Sequence, residues 1–390
     1  MSSSVIAANR DPVYDEAMAG RWAALAAAVA LTATAGCDHW FPPEDAALFC
    51  RGRPEWYVDT TFRKVKLVAR SNDLFVHLTA DRGADAALDD RDFPAVTAPF
   101  QNVVAAIAVD DGTVEWMREM EFQGSEGVLA MSPDGRLFSA EAAVGGTGMV
   151  SRLDPDDGQI MRSSPAPFER PTALAASDAM AVVAGNGTLS ALDAGSGELL
   201  WQNDTISGVT SIAITSDGNV AVAQTLEGSG IHLSVLDGGT GELLWNHGPR
   251  SVGLEVASLP GGDVALVHRD GNGGPLFLIR FGADGSIKWS RRLGYPSAVL
   301  DLLVLADGDL LLLGNGREFA DATVAEQCHY VARLSADDGL TRDVRSICFC
   351  EYAATATAND TGREFVHIDL PRGPAPIALF DPGDLMSATP

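Results

Sequence analysis

Lysine is nearly absent from this 390-residue chain: Lys64, Lys66 and Lys288 are the three it has, and with arginine they make 27 basic residues against 53 acidic ones. The formal net charge of -26 creates a field that repels phosphate backbones and anionic head groups, which excludes nucleic acid as a partner. Long apolar runs are missing too. Beyond the first 40 positions none reaches the roughly 18 residues that a spanning helix needs, so membrane attachment, if there is any, falls to the N-terminus. The short catalytic signatures are also missing: there is no Gly-x-Ser-x-Gly elbow, P-loop, His-Glu-x-x-His or Cys-x-x-Cys-His, and the seven histidines stand singly. None of the Asp-rich turns continues to the ligand spacing of a known calcium loop. Cys348-x-Cys350 has the wrong spacing for a zinc knuckle. A glycosidase needs two facing carboxylates, and nothing in the order of the residues pairs them. The expectation is a chain with no catalytic residue, no metal and no cofactor.

What is present begins at the N-terminus. Residues 22–34 form an apolar, alanine-rich run after Arg21 and before Ala35, Gly36 and Cys37, which is the layout of an export signal. The segment Ala33-Thr34-Ala35-Gly36-Cys37 resembles a lipobox, with Thr34 where leucine is usual. An acidic stretch with Asp11, Asp15 and Glu16 precedes Met18, which makes Met18 the expected start. Residues 1–36 are therefore read as a lipoprotein signal peptide, Cys37 as the lipidated residue, and 37–55 as a tether. The location implied is the cell envelope, facing the periplasm or the cell exterior, with the lipid as the one contact with the membrane. Cys50, Cys328, Cys348 and Cys350 then remain as an even set in an oxidising compartment, which reads as two disulfides with three connectivities open.

The main signal is a repeat. Ala191-Leu-Asp193-Ala-Gly-Ser196-Gly197-Glu-Leu-Leu-Trp201 recurs as Val235-Leu-Asp237-Gly-Gly-Thr240-Gly241-Glu-Leu-Leu-Trp245. Weaker copies end at Trp116 and Trp289, and two more keep only the turn, at Asp154 to Gly158 and Ser335 to Gly339. Glycines 112, 158, 197, 241, 285 and 339 are spaced by 46, 39, 44, 44 and 54 residues, the length of one four-stranded propeller blade. Each copy has a local cause. A strand runs into an Asp whose carboxylate can cap its own turn, and a Gly supplies the positive φ that returns the chain. Between these hairpins lie further alternating runs at 128–138, 211–222, 255–267 and 299–313, each with its own turn. Two hairpins per repeat give four strands per blade.

The two best copies resemble the tryptophan-docking motif A-x-D-x-x-T-G-x-x-x-W of the PQQ-like (quinoprotein-type) β-propeller family, with Ser196 for Thr and Val235 for Ala. The resemblance covers residues 56–385 and implies an all-β propeller of seven blades, eight being the alternative count. In that family the tryptophan docks on the next blade, a role that passes to Trp116, Trp201, Trp245 and Trp289, with Asp193, Asp237, Gly197 and Gly241 forming the turns. Ala108 and Phe281 stand at the Asp position, and Arg162 and Asp343 at the Trp position, so blades two and six are expected to be looser. Residues 65–78 would begin the first blade, 82–99 form a loop inserted in it, and 364–384 supply a degenerate last unit. Ring closure would bring Cys50 near the late blades, pairing it with one of Cys328, Cys348 and Cys350, with the 348–350 segment favoured and the other two joined to each other.

The quinoprotein dehydrogenases that share this repeat hold their cofactor against two adjacent cysteines, and this chain has none. The expectation is accordingly a non-enzymatic binding or protein-interaction scaffold that meets other envelope proteins. Its plan is similar to that of the propeller lipoprotein of outer-membrane β-barrel assembly. The alternative is an envelope enzyme acting on a small molecule or glycan in the propeller channel.

Overall fold

At Asp193 the chain stops being a strand. Its carboxylate accepts the amides of Gly195 at 3.0 Å and Ser196 at 2.6 Å. Gly197, at φ 67°, donates to the Asp193 carbonyl at 2.8 Å and turns the chain back. The copy at Asp237 repeats this with Gly239 at 3.0 Å and Thr240 at 2.8 Å. These bonds hold both carboxyls below the usual aspartate range, through the Ser196 amide at Asp193 and the Thr240 hydroxyl at Asp237. In the fifth repeat the hairpin is one residue shorter: the Gly285 amide donates to Gly282. Phe281 pairs with Ile287 as Leu192 pairs with Leu199, so Gly282, and not Phe281, takes the Asp position there.

The computed structural model describes residues 56–58, 64–70, 72–79, 102–120, 127–142, 147–226, 230–248, 251–270, 274–294, 298–317, 327–349, 353–358, 364–368 and 377–380. The signal peptide, Cys37, the tether with Cys50, the 82–99 loop and Cys350 lie outside the described residues. Strand β1 (Trp56–Val58) precedes blade one, which comprises β2 (Lys64–Arg70), β3 (Asp73–Thr79), β4 (Asn102–Ala108) and β5 (Val114–Glu119). Blade two is β6 (Val128–Met131), β7 (Leu137–Ala142), β8 (Gly148–Leu153) and β9 (Ile160–Ala166). Blade three is β10 (Pro171–Ala176), β11 (Met180–Gly185), β12 (Thr188–Asp193) and β13 (Leu199–Asn203). Blade four is β14 (Val209–Ile214), β15 (Val220–Leu226), β16 (Gly230–Leu236) and β17 (Leu243–His247). Blade five is β18 (Ser251–Ser258), β19 (Val264–Asp270), β20 (Leu276–Phe281) and β21 (Ile287–Leu293), with a 3-10 turn at Pro260–Gly262. Blade six is β22 (Ala298–Val304), β23 (Leu310–Arg317), β24 (Gln327–Leu334) and β25 (Thr341–Phe349). Strands β26 (Ala353–Ala358), β27 (Glu364–Ile368) and β28 (Ile377–Phe380) follow.

Six of the seven four-stranded sheets are thus built from consecutive strands, and the remaining one is composite, in the order β1-β28-β27-β26. Its outermost strand comes from the other end of the described chain: Trp56 pairs with Leu379 and Val58 with Ile377. Nothing in the repeat marks residues 56–58 as part of the last blade. The first strands β2, β6, β10, β14, β18, β22 and β26 pack side by side in that order, and β26 packs on β2 to close the ring. No helix among the described residues is long and apolar enough to cross a membrane.

The core lies between the blades. One cluster joins Ala191 and Trp201 of blade three to Val220 and Val222 of blade four, and another joins Val235 and Trp245 of blade four to Leu266 and Phe281 of blade five. A middle strand is therefore covered on both faces, and β11 and β7 are buried at every position. That is why β11 reads as a continuous apolar run instead of an alternating one, while β7 buries Ser139 and Glu141 among its apolar residues. Because every sheet is antiparallel, the first-to-second and third-to-fourth strand turns fall on one face of the ring. The other connections fall on the opposite face. The Asp-Gly turns give the first face its carboxylates.

Candidate functional site

Three features of the ring could carry function: the seams that hold it together, its inner wall and its outer rim. The seams are built by the repeat. The indole Nε1 of Trp116 donates to Pro155 O at 2.7 Å, Trp201 to Gly238 O at 2.7 Å, Trp245 to Ala283 O at 3.0 Å and Trp289 to Ala336 O at 2.9 Å. Each acceptor lies in the turn of the following blade. The residue two positions on often adds a second tie, as Asn203 Nδ2 does to Gly241 O at 2.9 Å and Arg291 Nε to Asp338 O at 2.8 Å. Trp201 is buried, while Trp116, Trp245 and Trp289 are half-buried. At the seam of blade two the Arg162 guanidinium donates to the Ser196 carbonyl, an exposed bond two residues beyond the carbonyl position that the indoles use. For blade six, Asp343 occupies the corresponding register position opposite Arg333.

The inner wall carries a polar chain that runs over consecutive blades. Glu255 lies on β18, and the Ser211 hydroxyl of β14 bonds its carboxylate. Ser211 Oγ also accepts the Val256 amide at 3.3 Å. Asp301, on β22, accepts the Leu302 amide at 2.8 Å and a bond from the Thr357 hydroxyl of β26. Lys66 of β2 acts electrostatically on both carboxyls. It belongs to blade one and Glu255 to blade five, so this interaction crosses the centre of the ring. Burial in the wall, followed by the charge of Asp301, pushes Glu255 up to about 8. Burial likewise pushes Asp301 up to about 6, against the two hydrogen bonds and Lys66. Both residues are half-buried by surface area. Such a pair retains a proton near neutral pH and can donate a hydrogen bond that ordinary carboxylates cannot. Among the described residues no group of three or more His, Cys, Asp and Glu is placed to hold a metal.

The sequence gives no hint of this pair, since Glu255 and Asp301 sit 46 positions apart in runs that read as ordinary strands. The shared signal, visible only in the register, is that each follows a bulge in the first strand of its blade, at 253/255 and 299/301. A second buried pair was equally hidden. His77 of blade one lies 3.4 Å from Glu141 of blade two, and Ser139 Oγ donates to Glu141 Oε1 at 2.9 Å.

The outer rim is apolar where it should be polar. Leu199 and Leu200 on β13 are 49% and 47% exposed, Leu243 and Leu244 on β17 are 50% and 51%, and Ile287 on β21 is 51%. These residues occupy adjacent blades at the same level, two and three positions after the turn glycines. Monomeric surfaces tolerate scattered apolar side chains but seldom repeat them in register.

The family model described as outer membrane protein assembly factor BamB matches residues 101–247 and, in an overlapping placement, 146–317. Virginiamycin B lyase from Staphylococcus aureus superposes with a TM-score of 0.56 at 11% identity, covering 83% of this chain and 98% of that one. BamB from Moraxella catarrhalis gives 0.49 at 13% identity, covering 84% of this chain and 96% of that one. No curated protein matches the sequence. At 11% identity the lyase structure speaks to the fold alone.

Proposed function

We propose that this chain, which belongs to the PQQ_2 propeller family described as outer membrane protein assembly factor BamB, is a non-enzymatic protein-interaction scaffold of the cell envelope. Cys37 carries its lipid, and its partners are proteins of outer-membrane assembly. The observation that carries this reading is the rim of Leu199, Leu200, Leu243, Leu244 and Ile287, exposed on the outermost strands of three neighbouring blades. Those strands also end their sheets, so a partner could meet both side chains and backbone there. The test is a pull-down of the lipidated protein from membranes, comparing wild type with Leu200→Asp/Leu244→Asp. Both side chains are about half exposed, so the variant should keep its melting temperature and lose its envelope partners. Unchanged capture would reject the rim as the docking surface.

A second reading, an envelope enzyme working in the channel, has one observation of its own: Glu255 and Asp301 converge on the inner wall. The two readings part in a complementation assay. A scaffold keeps its function in Glu255→Gln and loses it in the rim variant, whereas a channel enzyme does the reverse.

A further inference from the structure

Cys328 and Cys348 are direct register partners on β24 and β25, one step inside the Gln327 and Phe349 pair that ends the ladder. Directly opposed residues of an antiparallel pair have Cα atoms about 4.5–5.5 Å apart and share one face of the sheet. A disulfide spans Cα distances of about 4.4–6.8 Å, so the Cα spacing that this register sets falls within its range. The position matters because β25 is the outer strand of blade six. The outer strands of blades one, three, four and five are tied to the next blade by an indole, and that of blade two by Arg162. In blade six Asp343 takes the tryptophan position.

We propose that Cys328 and Cys348 form a cross-strand disulfide that holds the outer strand of blade six to its neighbour, in the blade whose repeat has lost the docking tryptophan. The bond forms by exchange with a disulfide oxidant. One thiolate attacks the oxidant to give a mixed disulfide, and the second cysteine displaces it. The two thiols give up two electrons and two protons, and the oxidant leaves as a dithiol. Of the three connectivities open to the four cysteines, this selects Cys328 with Cys348 and leaves Cys50 for Cys350. Formation in the cell rests on the export included in the proposed function, because a reducing cytosol would keep the thiols apart.

The experiment blocks free thiols of the full-length protein with iodoacetamide under denaturing, non-reducing conditions and maps the peptides by mass spectrometry. Protein from the envelope should yield a peptide pair joining residues 328 and 348 that is lost on reduction. In parallel, folded protein made in the cytosol is oxidised in a glutathione redox buffer and mapped in the same way. A 328–348 link in the buffer but not in cells supports the site and overturns the export reading. Free thiols, or links only to Cys50 or Cys350, in protein that is fatty-acid labelled and membrane-bound overturn the disulfide while leaving export standing. Cys348→Ser should raise amide hydrogen exchange in 341–349 to the level of the reduced wild type, and identical exchange in oxidised and reduced wild type would reject the stabilising role.

Discussion

Trp201 donates its indole N–H to the Gly238 carbonyl 37 positions later at 2.7 Å, and its ring lies where a Cβ on Gly241 would approach to 2.6 Å. The last residue of one motif copy thus rests on the turn of the next. The same 11-residue pattern serves twice, once as the ring that docks and once as the turn that receives it. This gives the repeat its cooperativity, since a blade without a neighbour has nothing to cover its tryptophan.

Removing that ring should be costly. Trp201→Ala should lower stability by about 3–5 kcal/mol, the range for truncating a buried tryptophan, and Trp245→Ala should cost less because its ring is half-buried. Urea titration with an unchanged m-value measures both. Equal losses, or a loss below about 1 kcal/mol at Trp201, would contradict the packing.

The turn glycines separate two costs. Gly241 sits at φ 71° beneath Trp201, while Gly218 sits at φ 86° with nothing within 4 Å of its would-be Cβ. Gly218→Ala should therefore cost about 1–2 kcal/mol for the left-handed backbone alone. Gly241→Ala pays that and also displaces the indole, so its loss of stability should be the greater. Similar values in thermal melts would mean that the indole yields freely.

The inner wall predicts a pH dependence of definite sign. Glu255 is raised to about 8 and Asp301 to about 6 in the folded chain. Unfolding therefore releases protons above the ordinary carboxylate range, and stability falls as pH rises from about 4 to about 8. Each tenfold shift in proton affinity corresponds to about 1.4 kcal/mol. Glu255→Gln/Asp301→Asn should flatten that limb of the stability–pH curve and be the more stable protein at pH 8. Lys66→Met should steepen it, because Lys66 favours the charged forms. A double variant with the same slope as wild type would remove the pair from the account.

The lipobox makes the simplest test. A fatty-acid probe should label the wild type and leave Cys37→Ala unlabelled, and the variant should leave the membrane fraction, since acyl chains supply about 0.8 kcal/mol per buried methylene. Equal labelling of both would end the anchor.

The sequence determined the blade. Asp-to-Gly spacing, the tryptophan after each turn and the 39- to 54-residue period between turn glycines are local rules, and a turn that caps itself needs no distant partner to be recognised. Even so, register was beyond it where the turn changed length, as with Gly282 in place of Phe281. Only the tertiary structure decided what depends on closure. Trp56–Val58 completes the last blade because a ring leaves one strand vacancy that any chain terminus of suitable pattern can fill, and no periodicity records which one does. Blade two keeps a tie at its seam because the Arg162 guanidinium reaches the Ser196 carbonyl of the next turn, two residues beyond the position that the indoles bond, a substitution visible only when the turn is in place. Glu255 and Asp301 became a pair because β18 and β22 are neighbours around an axis, and proton affinity answers to distance through space and not to separation along the chain.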